Sequence, residues 1–264
     1  MPNTTYFSPM VNVPHIRPEQ TSKGSYITVQ GLRAYTIGPQ GKNAVIVAHD
    51  KFGLTPQMEQ ICDMIASQGY RVIMPYLFKD EFPYTRERAL RESSKQCYEW
   101  FMNIVSSPST FDHIHITMKK ILTYLQSQGF VHFGVFGAGG GGKFASIAAS
   151  KSDLFSAAVF VHTPWFSLAD LKDIKCPVAI LTSGDLEDLA SIFFTPSINS
   201  LQMSPSSTTK HFPRVMLHMR FAEMKYGWVG SYGEWTNPYI AERTTEALRI
   251  SATFFREHIG LKKF

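Results

Sequence analysis

The stretch at residues 132–150, with the sequence HFGVFGAGGGGKFASIAAS, decides the fold of this chain. A short apolar strand at 133–136 leads into a run of glycines, and a helix of small residues follows at 143–149. So sharp a turn needs residues without a side chain, because some positions take a positive φ or press backbone against backbone. The pattern therefore predicts a strand–turn–helix unit with Gly139 at the tip of its turn.

Strands and helices alternate on both sides of this unit. Two alternating stretches, 25–29 and 32–37, are split by Gln30 and Gly31, which predicts a β-hairpin. Apolar runs predict further strands at 44–48, 70–74, 157–161, 177–183 and 214–219. Helical spacing predicts helices at 57–68, 82–107, 110–128, 186–194 and 240–258, with a loop at 195–210. Such alternation indicates βαβ units around a parallel sheet, with candidate sites at the carboxyl ends of the strands.

The composition is that of a globular protein with a full core. The 264 residues are 44% hydrophobic and 18% charged, and the formal net charge of +5 is spread along the chain. No block of Lys and Arg predicts a nucleic-acid partner, and no apolar run is long enough to cross a bilayer. Cys62, Cys97 and Cys176 are far apart and without metal-ligand spacing, which favours reduced thiols in the cytoplasm or another reducing compartment. We expect the first two on helix faces, as core or half-buried thiols.

The first 22 residues form a predicted extended arm, ahead of a single domain at 23–264. Four prolines prevent a helix, and the apolar residues of the arm show no period. Such an arm is either disordered or laid on another surface. Together with an aromatic-rich loop at 224–238, it is the candidate contact for a protein partner.

Seven stretches, in order, resemble the dienelactone hydrolase family of α/β-hydrolases. They are HDKFGL (49–54), GYRVIMPYLFKDE (69–81), GAGGGGK (137–143), VHTPWF (161–166), TSGDLED (182–188), KYGWVG (225–230) and ALRISATFFREHI (247–259). The resemblance implies an α/β-hydrolase fold, with a mostly parallel central sheet and helices on both faces. It also implies hydrolysis of small esters or lactones by a Cys-Asp-His triad whose Cys sits at the tip of a nucleophile elbow.

The chain departs from the family pattern where the chemistry lies. Gly139 occupies the place of the elbow cysteine, Tyr226 that of the histidine, and Glu187 that of the acid, with Asp188 beside it. Nucleophilic catalysis needs a base to take the proton of the nucleophile and a third group to orient that base. We therefore predict a degenerate triad and a pseudoenzyme that acts as a binding or structural subunit, with membership of a larger assembly left open.

The same residues leave two other functions open. The N–H of Gly140 and the backbone near Lys51 resemble an oxyanion hole, and Asp50, His162 and Trp228 are further candidate binding residues. One alternative is a hydrolase of small esters or lactones with a rearranged site, in which His49 or His162 activates water. The other is a small-molecule sensor that keeps the pocket. Both histidines, and Asp50, also have a structural interpretation as hydrogen-bonded groups at strand ends.

The glycine run also approaches two nucleotide-binding patterns. Residues 137–144 nearly match a phosphate-binding loop, but Phe144 stands where that loop needs a hydroxyl for Mg²⁺. Gly137, Gly139 and Gly142 match the spacing of a dinucleotide fingerprint, but no acidic residue follows the next strand to hold a ribose. The sequence therefore predicts no cofactor and no metal.

Overall fold

The computed structural model describes residues 10–17, 19, 21–78, 84–187 and 214–260. The strands are β1 (Ser25–Val29), β2 (Leu32–Ile37), β3 (Asn43–Ala48), β4 (Arg71–Pro75), β5 (His132–Ala138), β6 (Phe155–Val161), β7 (Val178–Ser183) and β8 (Val215–Phe221). The helices are α1 (Pro56–Ala66), α2 (Arg86–Arg91), α3 (Ser94–Val105), α4 (Pro108–Ser127), α5 (Gly141–Lys151) and α6 (Pro238–His258). None of these helices has the length and apolar character needed to span a bilayer.

The eight strands form one mixed sheet in the order β1-β2-β4-β3-β5-β6-β7-β8. The predicted hairpin is confirmed: β1 and β2 pair antiparallel around Gln30 and Gly31, which both have positive φ, as tight hairpin turns require. β2 also pairs antiparallel with β4, and all the other pairs are parallel. The elbow strand β5 lies near the centre of the sheet, between β3 and β6.

Each face of the sheet carries its own hydrophobic core. On one face, Ile61 of α1 and Phe255 of α6 belong to the cluster that contains Val45 and Val47. On the other, α3, α4 and α5 pack on the alternate residues of the strands, Ile46 among them. Because helices cover both faces, the central strands are apolar throughout, as the sequence predicted. This architecture confirms the predicted α/β-hydrolase fold class.

The prediction of a single long helix at 82–107 is wrong. The described part of this range contains two helices, α2 and α3. The break follows Arg91, and Ser93 begins the second helix with a capping box. The Ser93 side chain accepts the N–H of Gln96, while the Gln96 side chain accepts the N–H of Ser93. This reciprocal cap stabilises a new helix start, so the apolar period spans two helices instead of one.

Most other predicted elements are confirmed to within a few residues at their ends. The predicted helix at 186–194 and loop at 195–210 lie outside the described residues from position 188 onwards. Residues 186 and 187, which are described, are not helical.

The described part of the arm lies on the surface of its own chain. Val11, Val13 and Ile16 are buried in the core that α1 and α6 share. The N–H of Val11 donates to Thr253 Oγ1 at 3.1 Å, and the N–H of Ile16 donates to Thr245 Oγ1 at 3.2 Å. These three apolar side chains are therefore not available as a partner's anchor, while the boundary of the arm at residue 22 stays a prediction.

Candidate functional site

The turn after β5 has the backbone geometry that its glycines predict. Gly139 lies at the tip with φ +55°, and its N–H donates to the carbonyl of Val161 at 2.9 Å. A Cβ on Gly139 would lie 3.1 Å from the Tyr226 hydroxyl, 3.4 Å from His162 Cε1 and 3.5 Å from Asp50 Cβ. The structure thus brings together Gly139 and three of the residues predicted from the sequence.

The three glycines after Gly139 have no such room. A Cβ on Gly140 would lie 2.5 Å from the Phe101 ring, one on Gly141 2.2 Å from a carbonyl oxygen of β3, and one on Gly142 1.8 Å from a threonine hydroxyl. Because real Cβ atoms do not approach so closely, these positions exclude a side chain unless their neighbours move. Position 139 is where the turn comes closest to accommodating one.

Gly140 is the N-cap residue of α5, and it offers no side-chain acceptor to the first N–H groups of this helix. The first N–H groups of a helix have no acceptor within the helix, and the helix dipole places a partial positive charge on them. This end of α5 can therefore stabilise a carbonyl oxygen or a carboxylate at the elbow. Lys143 of α5, the cation of the phosphate-loop alternative, is instead bonded to Asp170 at 2.6 Å.

Tyr226 reaches the elbow from the loop after β8. Its N–H donates to both carboxylate oxygens of Asp185, at 2.8 and 3.0 Å. Glu187, the acid that the family pattern predicted, lies exposed two residues further on. The carboxylate that supports position 226 is thus Asp185. Burial, and then the charge of Asp50, raise the pKa of the Tyr226 hydroxyl, so the phenol stays protonated at neutral pH.

His162 follows β6 and is 1% exposed. Its Nε2 lies 3.1 Å from the Val229 carbonyl and donates to it, as the structural interpretation predicted. Its Nδ1 is buried and has no partner among the described residues, and the same holds for the hydroxyl of Thr163. His162 and Trp165 both have positive φ, at 39° and 52°. Unpaired polar atoms and backbone strain in one short segment are typical of functional sites. Burial lowers the pKa of His162 to about 4.

His49 and Asp50 follow β3 and are fully engaged. His49 Nδ1 donates to the Asp50 carbonyl at 2.8 Å, and His49 Nε2 accepts the N–H of Leu77 at 2.9 Å. Burial lowers the pKa of His49 to about 4, in keeping with this neutral tautomer. The Asp50 carboxylate accepts the N–H of Phe52 and both the N–H and the hydroxyl of Ser231. Burial raises the pKa of Asp50. With both ring nitrogens bonded, His49 is not placed to activate water.

A cavity of about 440 Å³ is lined in part by Tyr226, whose hydroxyl lies at the elbow. Its lining includes Lys51, Tyr84, Cys97, Trp165, Tyr226 and Tyr232. Lys51 Nζ donates to Cys97 Sγ at 3.0 Å and lies 4.5 Å from the ring centre of Tyr84 and 5.2 Å from that of Tyr232. The side chain of Lys51, a predicted site residue, therefore lines the cavity.

Sequence reasoning missed Cys97 as a site residue. It lies one helical turn before Phe101, whose ring packs over Gly140, so helix α3 presents both residues on the face toward the elbow. The S-x-x-Q capping box at Ser93 was the available signal, because it starts α3 four residues before Cys97.

The tryptophans of the aromatic loop fill the core. Trp228, a predicted binding residue, is 4% exposed and packs behind His162 with ring centres 5.1 Å apart. Its carbonyl accepts the indole N–H of Trp235 at 2.8 Å, and Trp235 is equally buried. Of the aromatic residues in this loop, Tyr232 is the most exposed, at 44%, and it lines the cavity.

The chain resembles known proteins over most of its length. A family model described as "Dienelactone hydrolase family" matches residues 32–192. An uncharacterized AIM2 family protein of Schizosaccharomyces pombe is 26% identical over 240 residues, which cover 89% of this chain and 92% of that protein. An endo-1,3;1,4-beta-D-glucanase of Zea mays is 29% identical over 57% of this chain and 46% of that protein. The crystal structure of a dienelactone hydrolase from Anabaena variabilis superposes with a TM-score of 0.59 at 14% identity, over 90% of this chain and 97% of that one.

Proposed function

The chain belongs to the dienelactone hydrolase family, and we propose that it is a non-catalytic member that binds a small carbonyl or carboxylate compound in the cavity at its elbow. One observation carries the proposal: the elbow tip, Gly139, has no side chain, and the Tyr226 hydroxyl lies 3.1 Å from where its Cβ would be. The turn that would present a nucleophile is present, while the nucleophile is not.

The groups around Gly139 do not supply the acyl-enzyme chemistry of the family. Glycine cannot attack a carbonyl, and a phenol that stays protonated can donate a hydrogen bond but not take a proton. The Asp185 carboxylate accepts the backbone N–H of Tyr226. Because the side chain at this position is a phenol, it has no ring nitrogen for a carboxylate to orient. A bound ester would meet donors at this end of the cavity but no nucleophile.

The same groups suit reversible binding. The N-terminus of α5 and the Tyr226 hydroxyl are donors for an oxygen of the ligand, and Lys51 adds a positive charge. Tyr84, Trp165 and Tyr232 offer aromatic surface for an apolar body. A compact ligand with one carbonyl or carboxylate group and an apolar ring matches this arrangement.

Two measurements test the proposal. We expect the wild type to show no aryl-ester turnover above the Gly140→Pro background, whereas the double variant Gly139→Cys with Tyr226→His gains measurable turnover. In a thermal-shift screen of small lactones and carboxylates, a ligand at 100 times its Kd adds about 2.7 kcal/mol of stability. Tyr226→Phe should weaken that ligand, and Tyr239→Phe, at an exposed position on α6, should not.

Wild-type turnover that is lost in Gly140→Pro would contradict the non-catalytic assignment. A screen in which no lactone or carboxylate raises the melting temperature would contradict the binding assignment.

One observation favours a hydrolase with a rearranged site as the second candidate. His162 Nδ1 is a free acceptor beside the elbow, so it is placed to take a proton from a water molecule near Gly139. A base with a pKa of about 4 is weak at neutral pH, which argues against efficient catalysis. Ester turnover that survives in His49→Gln and disappears in His162→Gln would establish this alternative.

A further inference from the structure

We propose that Lys51 and Cys97 form a nucleophilic pair, through which the cavity attaches α,β-unsaturated carbonyl compounds covalently to Cys97. This goes beyond reversible binding: it shares Lys51 with the binding site proposed above, but places a covalent bond on Cys97 of α3 in the same cavity. The proposal uses no residue of the family's triad, and nothing in the non-catalytic assignment depends on it.

Lys51 carries a buried positive charge beside Cys97. This lysine is 8% exposed, and no carboxylate of the described residues lies within 4 Å of its ammonium group. The polar partner of Nζ is Cys97 Sγ, at 3.0 Å. A buried cation is costly unless an anion accompanies it, and a thiolate is the anion that this neighbour can provide.

The two carboxylates that interact electrostatically with Lys51, those of Asp50 and Glu92, are already engaged: Asp50 accepts hydrogen bonds from Phe52 and Ser231. Glu92, which also lines the cavity, accepts a bond from Arg88 Nε at 2.6 Å and another from the Tyr84 hydroxyl at 2.8 Å. Glu92 is therefore paired with Arg88 and the Tyr84 hydroxyl, while Lys51 Nζ lies 4.5 Å from the centre of the Tyr84 ring. Aromatic faces stabilise the ammonium without neutralising it, so the sulfur remains its counter-charge.

Of the three cysteines, Cys97 is the one that a ligand in the cavity can reach. Cys97 is half-buried and lines the cavity, whereas Cys62 and Cys176 are buried in the two cores. Tyr226 also lines this cavity, and against its ring lies His162, whose buried Nδ1 has no partner among the described residues. A ligand that bonds to Cys97 would thus extend toward unused polar groups and the N-terminus of α5.

The chemistry is a conjugate addition. The Cys97 thiolate attacks the β-carbon of the unsaturated carbonyl, a C–S bond forms, and the π electrons of the C=C bond move onto the carbonyl oxygen as an enolate. The proton that left the thiol returns from the ammonium group or from water to the α-carbon. The net reaction adds S–H across C=C, so it needs no oxidant, reductant or further reactant.

The test is the rate at which N-ethylmaleimide and 2-cyclohexen-1-one modify the native protein, followed by peptide mass spectrometry. We expect Cys97 to react first and Cys62 and Cys176 to stay unmodified. Lys51→Met should slow the reaction of Cys97 about tenfold or more at pH 6.5, and Lys51→Arg, which keeps the charge, should restore most of the rate. The melting temperature of each variant reports whether it folds.

A pH profile of the wild type keeps the test independent of the variants. The reaction of an ordinary thiol slows about 20-fold between pH 8 and pH 6.5, because its thiolate fraction falls by that factor. We expect Cys97 to slow less than threefold. A 20-fold decrease, or equal rates in wild type and a folded Lys51→Met, would overturn the proposal. Both readouts are independent of ester turnover and of stabilisation by reversible ligands, so the two proposals can fail separately.

Discussion

Two buried histidines end the strands on either side of the elbow strand, and they are used differently. His49 follows β3 and His162 follows β6, and burial lowers the pKa of each to about 4. Both ring nitrogens of His49 are bonded, and the neighbouring Asp50 carboxylate accepts three hydrogen bonds. One ring nitrogen of His162 and the hydroxyl of Thr163 have no partner among the described residues. The residues that follow β3, called here the β3 side, therefore hold neighbouring loops together. The residues that follow β6, the β6 side, keep polar atoms to which a ligand can bond.

The largest expected effect is on the β3 side. Asp50→Ala removes the buried carboxylate that accepts two hydrogen bonds from Ser231 and one from the N–H of Phe52. We expect a loss of about 3–5 kcal/mol in the free energy of unfolding, measured with urea. Asp153→Ala is the matched control, since its ion pair with Lys175 is mostly exposed and contributes less than about 1 kcal/mol. A small effect at Asp50 would remove the structural role assigned to this side.

The second effect is on pH dependence and involves both sides. Each histidine has a pKa of about 4 when folded and 6.5 when unfolded, so between these values the unfolded chain binds a proton that the folded one does not. Stability therefore falls as the pH drops from 6.5 toward 4, by about 2 kcal/mol per histidine down to pH 5. Urea unfolding at pH 7.5 and 5.0 measures the drop. In His162→Phe, the drop should be about 2 kcal/mol smaller; an unchanged drop would show that His162 is charged in the folded protein.

The smallest effect is at Thr163. Its buried hydroxyl has no partner among the described residues, so Thr163→Val should change the unfolding free energy by less than about 0.5 kcal/mol. The matched substitution Thr253→Val removes the acceptor of the Val11 N–H and should cost about 1–3 kcal/mol. A large loss at Thr163, measured in the same unfolding experiment, would show that the β6 side is as fully bonded as the β3 side.

The elements that could be predicted are those whose cause is local. The strand–turn–helix at β5 follows from the glycine run itself, in which Gly139 takes a positive φ, and the hairpin follows from Gln30 and Gly31. The break between α2 and α3 was also readable, because Ser93 and Gln96 form a cap within four residues. The spacing of apolar residues does not reveal this break, because it continues across both helices.

The candidate site depends on contacts that no local pattern contains. Asp50 bonds to Ser231, 181 positions away, and His162 bonds to Val229, 67 positions away. The family pattern brought Gly139 and Tyr226 together, but it gave no reason to join Lys51 to Cys97. That pair arises where the start of α3 meets the loop after β3, and the packing of separate elements sets its 3.0 Å distance.

The seated arm has a consequence for synthesis. The N–H of Val11 bonds to Thr253, 242 positions later, so this bond cannot form until α6 has left the ribosome. Until then the groove between α1 and the missing α6 is uncovered, and contacts of such long sequence separation form slowly. The arm is synthesised before α6 and is secured only after it, so during that interval the surface of α1 that the arm covers is a candidate for protection by a chaperone.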